Sequence, residues 1–172
     1  MDIDGYIACI CEGSAEQVIM ELLLDDNKLR FTSDQLLEEE IIRLRSAKKF
    51  ESRYLRKHFS KKITVLRILD SRRENFKLSK AYQDKVAVID VITAPEIEML
   101  IIFNEDKYEE FKKSKMKPSE FCKIKLKFSK VKNYDFVKGY FSDTDKLLKS
   151  IREYQRVSNI KKGEVTLFDL LK

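Results

Sequence analysis

The chain has 172 residues, of which 43% are hydrophobic and 37% charged, with four Gly and two Pro. That composition excludes a disordered or fibrous protein and leaves enough apolar material for a buried core. No apolar run approaches the roughly 18 residues that span a bilayer, so no membrane partner is expected.

The net charge of +6 is unevenly spread: residues 1–42 carry 2 Lys/Arg against 11 Asp/Glu, whereas residues 43–80 carry 14 against 3. Cations can neutralise a nucleic-acid backbone while acids hold a metal, and a long solvated helix would explain the basic block equally well. The acidic opening MDIDG has no basic leader, so the expectation is a cytoplasmic protein. Three cysteines, Cys9, Cys11 and Cys122, fit buried reduced thiols.

In chain order, the apolar run 6–11 predicts a strand, and Gly13 marks the turn out of it. Val18, Ile19, Leu22 and Leu23 recur at helical spacing, and Ser14 with Gln17 has the form of a capping box, placing the first helical turn near residue 15. Glu12 then stands at the carboxyl end of a strand and Glu16 inside the first helical turn. Such a pair suits a hard divalent cation; alternatively, Glu16 answers the helix dipole and Glu12 is a solvated turn residue.

Residues 28–32 are read as a short second strand, followed by a long helix from Ser33 or Asp34 to about Phe59, its apolar positions three and four apart. His58, the only histidine, is placed at the end of that helix as a dipole partner. ITVLRILD (63–70) is a strand that ends in Asp70 and runs into Ser71, Arg72 and Arg73. The two guanidinium groups are candidate phosphate ligands, with an exposed charged loop as the other reading.

VAVIDVITA (86–94) is the next strand, after which Pro95 opens a helix carrying Glu98, with Thr93 and Glu96 as a second capping box. Strands ending near residues 11, 70 and 92 are thus each followed closely by an acid, and in a parallel sheet those ends share one edge. Residues 105–115 read as a charged helix, Pro118 opens another, and Ser142 or Asp143 caps a helix to about Val157. Lysines 123–132, interleaved with Phe121, Phe128 and Tyr134, could track a nucleic-acid backbone, although aromatics so placed are more often core. The apolar tail 165–171 is read as docking on the domain or on a partner subunit.

The run CEGSAEQVI (11–19) resembles the first motif of Toprim-type domains, the strand ending in Asp70 resembles their second, and TAPEIEMLII (93–102) is similar to the proline-then-glutamate segment of RloB-like and OLD-type Toprim nucleases. The resemblance implies Mg2+ or Mn2+ held by Glu12, Asp70 and Glu98, with Glu16 in support, and catalysis at DNA or RNA phosphodiesters in bacterial phage defence, often beside an ATPase subunit. The family's second motif is Asp-x-Asp, and this chain reads Asp70-Ser71-Arg72.

The expected fold is a three-layer Toprim-like α/β domain over residues 1–172, with a mainly parallel four-stranded sheet flanked by helices and residues 118–172 as a helical appendage. The expected function is metal-dependent nucleic-acid cleavage. The alternatives are a catalytically inactive nucleic-acid- or protein-binding subunit, or a structural homo-oligomer. Walker A, G-x-G-x-x-G and G-x-S-x-G patterns do not occur, which disfavours an ATPase, a dehydrogenase and a serine hydrolase for this chain.

Overall fold

A computed structural model describes residues 5–93 and 97–172. Strand β1 (Tyr6–Cys11) enters helix α1 (Ser14–Asp25), and two short 3-10 turns (Ser33–Gln35 and Leu37–Glu39) lead to strand β2 (Ile42–Arg43). Helix α2 (Ala47–Tyr54) precedes β3 (Ile63–Leu69), the short α3 (Lys80–Gln83) and β4 (Val86–Ile92). Helices α4 (Glu98–Asn104), α5 (Tyr108–Ser114), α6 (Pro118–Ile124), α7 (Tyr134–Tyr140) and α8 (Thr144–Val157) follow, and a 3-10 turn (Leu167–Leu170) ends the chain.

The four strands form one all-parallel sheet in the order β2-β1-β3-β4, with helices on both faces, a three-layer α/β fold. Parallel strands need crossover connections, and α1 and α2 supply two of them on opposite faces. The connection leaving β1 runs to β2 on one side and that leaving β3 runs to β4 on the other. The crevice between the carboxyl ends of β1 and β3 is therefore the switch point of the sheet, where open α/β sheets take their ligands.

The pleat decides which residues go to which face. Ile7, Cys9, Cys11, Leu66, Ile68 and Val91 point into a large apolar layer built with α1, α4, α6, α7 and α8. Each fully buried aliphatic side chain there, such as Leu23 of α1, contributes about 1.5–3 kcal/mol. Ala8, Ile10, Ile63, Val65 and Val86 point the other way, onto Phe50 and Tyr54 of α2 and onto Phe76 and Leu78 of the β3–β4 connection.

Helices α6–α8 share the first layer with the sheet, and the apolar tail docks on the domain itself. Leu29 bridges Leu171, and the Arg30 side chain donates to the Leu171 carbonyl at 2.7 Å. The three cysteines are free and buried. Among the described residues no helix is long and apolar enough to cross a membrane.

Four expectations need correction. The long helix from 33 to 59 is absent: Glu38 and Glu39 adopt positive φ, β2 pairs with β1, and only Ala47–Tyr54 is helical. The second strand of the sheet is Ile42–Arg43, while residues 28–32 pair with the C-terminal tail through the Leu29–Leu171 bridge and the hydrogen bonds of Lys28 and Arg30. His58 lies beyond the end of α2 rather than in its last turn. Ser14 is the first residue of α1, with Gly13 at the N-cap and no side-chain cap. The proposed capping box at Thr93 and Glu96, and Pro95 as helix opener, include positions outside the described residues.

Candidate functional site

β1 delivers Glu12 one residue past its carboxyl end, and α1 brings Glu16 back over the same turn. Gly13 permits this, because a Cβ there would collide with the Glu16 carboxylate. β3 delivers Asp70 beside them, close enough for its charge to raise the pKa of both Glu12 and Glu16. Burial is the larger cause of both shifts; Glu74 adds to that of Glu12, and Glu12 to that of Glu16. Three of the predicted acids are therefore near enough at the switch point for their charges to act on one another.

The fourth, Glu98, opens α4 with no exposed surface, and Lys132 reaches it at 3.4 Å from the segment before α7. The Lys132 charge also acts on Glu16, which links Glu98 to the same rim. Glu12 is flanked by Arg67 at 3.6 Å and Arg45 at 3.9 Å. Arg67 is 2% exposed, donates to Asp90 at 3.0 Å and lies over the Phe76 ring, 4.8 Å from its centroid. A guanidinium buried so fully needs such partners, since desolvation penalises an unpaired charge heavily.

Arg72 is turned away from the rim into a two-point pair with Glu164, at 2.5 and 3.0 Å. Arg73 is exposed, its backbone N–H donating to Ser71 Oγ at 3.2 Å. Carboxylate oxygens are the right donors for Mg2+ or Mn2+. Among the described residues, however, no three His, Cys, Asp or Glu side chains are grouped to hold a metal ion. As arranged, Glu12 and Glu98 face cations of the chain itself.

Two open clefts adjoin this rim. One, of about 600 Å³, is walled by Glu12, Arg43, Arg45, Ser46 and Lys49 at the start of α2. The other, of about 650 Å³, has Glu98 in its wall with Lys123, Lys130 and Lys132. They lie on opposite faces of the sheet, so a chain occupying both would pass over the carboxyl ends of the central strands. No protein-family model, curated protein or solved structure matches this chain.

The sequence reading missed Arg45, Arg67, Asp90 and Lys132 as members of the rim. Arg67 left a signal: it interrupts the aliphatic run ITVLRILD of a central strand. Lys132 left none, being one lysine in a lysine-rich stretch. The aromatics near it take the commoner of the two readings and pack into the fold: Phe121 is core and Phe128 packs on Phe136 and Tyr140.

Proposed function

We propose that the protein binds the phosphodiester backbone of a nucleic acid across the carboxyl edge of its sheet. One observation carries this reading: the two clefts that adjoin the rim are lined by cations, Arg43, Arg45 and Lys49 in one and Lys123, Lys130 and Lys132 in the other. Arg43, Arg45 and Lys49 on one face and Lys123 and Lys130 on the other would contact phosphates and release counterions, while the rim acids would orient the chain by repulsion. Fluorescence anisotropy with labelled single-stranded DNA, duplex DNA and RNA tests it. Binding should weaken with salt, and Arg43→Glu with Lys49→Glu should weaken it more than tenfold at 100 mM NaCl. Unchanged affinity in that variant would remove the reading.

A second reading, metal-dependent cleavage, is favoured by the mutual repulsion of Glu12, Glu16, Asp70 and Glu74, a negative field that a divalent cation would relieve. An ion shared by Glu12, Asp70 and Glu98 would have to displace Arg45 and Lys132 from the carboxylates they now face. With this reading go the ATPase partner and the role in defence that the Toprim resemblance implies. Binding that persists in EDTA, with no cleavage on adding Mg2+ or Mn2+, favours the first reading; divalent-dependent cleavage that Glu12→Gln abolishes favours the second.

A further inference from the structure

The amino edge of the sheet, opposite the acid rim, carries a cleft of about 620 Å³ formed by the segment after α2 and the starts of β3 and β4. His58, Lys61, Lys62 and Lys85 line it with Phe59 and Tyr82, both half-buried, and with one acid, Asp84. Between this cleft and the rim, α2 runs down the face of the sheet beside another cleft lined by Lys48, Lys77 and Lys80. The one acid in that middle cleft, Glu51, accepts from the Ser79 backbone N–H at 2.5 Å. Three cationic clefts thus follow α2 from its first residue to beyond its last.

These lysines are exposed. Among the described residues, the ion pairs of this face are Arg53 and Lys57 with Glu38, Arg45 with Glu12, and Arg67 with Glu12 and Asp90. None involves Lys48, Lys61, Lys62, Lys77, Lys80 or Lys85, so their charges are not answered within the fold.

We infer that the α2 face is a second polyanion contact, carrying one strand of nucleic acid from the rim to the amino edge. The seven residues of β3 span about 23 Å at 3.3 Å each. Along a duplex axis each strand places a phosphate about every 3.4 Å, and an extended single strand spaces them more widely, so that length takes at most about seven phosphates of one strand. The half-buried rings of Phe59 and Tyr82 at the far end offer apolar surface to a terminal base. An acidic protein would use the charges but has less use for the rings. The track depends on the rim reading only for the identity of the polyanion.

The test compares the parent with Lys61→Glu/Lys62→Glu/Lys85→Glu, using fluorescein-labelled 20-nucleotide DNA, its duplex, and RNA of the same sequence between 50 and 200 mM NaCl. The variant should bind at least one of these more than tenfold more weakly at 100 mM NaCl, with a log–log salt slope shallower by about three. The Gln triple variant should show the same loss of slope, and circular dichroism should match the parent in both. Affinity within twofold of the parent, while Arg43→Glu/Lys49→Glu loses binding, overturns the track and leaves the rim reading standing. Competition by polyglutamate as effective as by unlabelled DNA overturns the choice of nucleic acid. A parent that binds none of the three probes overturns both.

Discussion

On one face of the sheet Leu66 and Ile68 disappear into an apolar layer of α1, α4 and α6–α8; on the other, their strand neighbours Val65 and Arg67 meet α2 and the loop that carries Phe76 and Leu78. The first face holds the tail and most of the buried aliphatic side chains. The second has room for a buried guanidinium, a cation-rich helix and a half-exposed edge strand, with Val88 at 37% exposure. Stability and polar chemistry are therefore divided between the faces. A thick apolar layer lets the thin one carry groups that a core of its own size would tolerate poorly, and the acid rim lies where the two meet.

The largest expected effect is on the thin face. Arg67→Ala leaves Glu12 and Asp90 without their buried partner and uncovers Phe76, and should cost about 3–5 kcal/mol in urea unfolding. The double variant with Glu12→Gln should cost less than the sum of the two single changes, by at least about 1 kcal/mol, because the two side chains share one network. Strict additivity would mean that Arg67 is held by packing alone. Next come two identical truncations on one strand. Ile68→Ala empties the thick layer and should cost about 4 kcal/mol, whereas Ile63→Ala, at the edge of the thin one, should cost about 2 kcal/mol. Equal costs would remove the distinction between the faces.

The same division explains what could be read in the sequence. β1, β3 and β4 were legible because each is a continuous run with its own β-branched residues, and the acids at their ends follow from parallel topology alone. β2 was not: two residues long, it is made a strand by the free edge of β1, and its neighbours Ile41 and Leu44 read as one helical stripe with those of α2. Positive φ at Glu38 and Glu39 is imposed by the fold on residues that carry no turn signal. Of the rim, Glu12, Glu16 and Asp70 lie near enough for their charges to act on one another, as parallel strand ends require. The cations of the rim were not legible, because Arg45, Arg67 and Lys132 approach from three separate segments whose meeting no local spacing encodes.

A smaller effect concerns the rim carboxylates themselves. Glu16 is buried, and burial together with the charges of Asp70 and Glu12 raises its pKa in the folded protein. The folded state then holds the proton more tightly than the unfolded state, so stability falls as pH rises from the ordinary carboxyl range through the raised folded value, and the penalty is complete above it. Glu16→Gln removes that penalty. The variant should equal the parent near pH 4 and melt at a higher temperature than the parent at pH 7–8. A parent more stable than the variant at pH 8 would mean that the backbone hydrogen bond to the Glu16 carboxylate and the Lys132 charge outweigh burial and the neighbouring acids.

The smallest expected effect separates a strut from a phosphate ligand. Arg72 and Glu164 join the loop after β3 to the segment before the C-terminal 3-10 turn, and their side chains are 37% and 15% exposed. Exposed pairs contribute little, so Arg72→Gln should cost about 1 kcal/mol or less. Arg72 lowers the pKa of Glu164, which makes the pair's contribution complete above the unfolded carboxyl pKa and lost as pH falls through the folded one. The deficit of Arg72→Gln should therefore shrink toward acid pH. If Arg72 is only a strut, this variant keeps the parent's affinity for labelled DNA and RNA, while Arg73→Gln, at an exposed position in the loop after Asp70, weakens binding and makes its salt slope shallower by about one. Loss of binding in Arg72→Gln with Arg73→Gln unaffected would require Arg72 to leave Glu164 when nucleic acid arrives, coupling the tail segment to the rim.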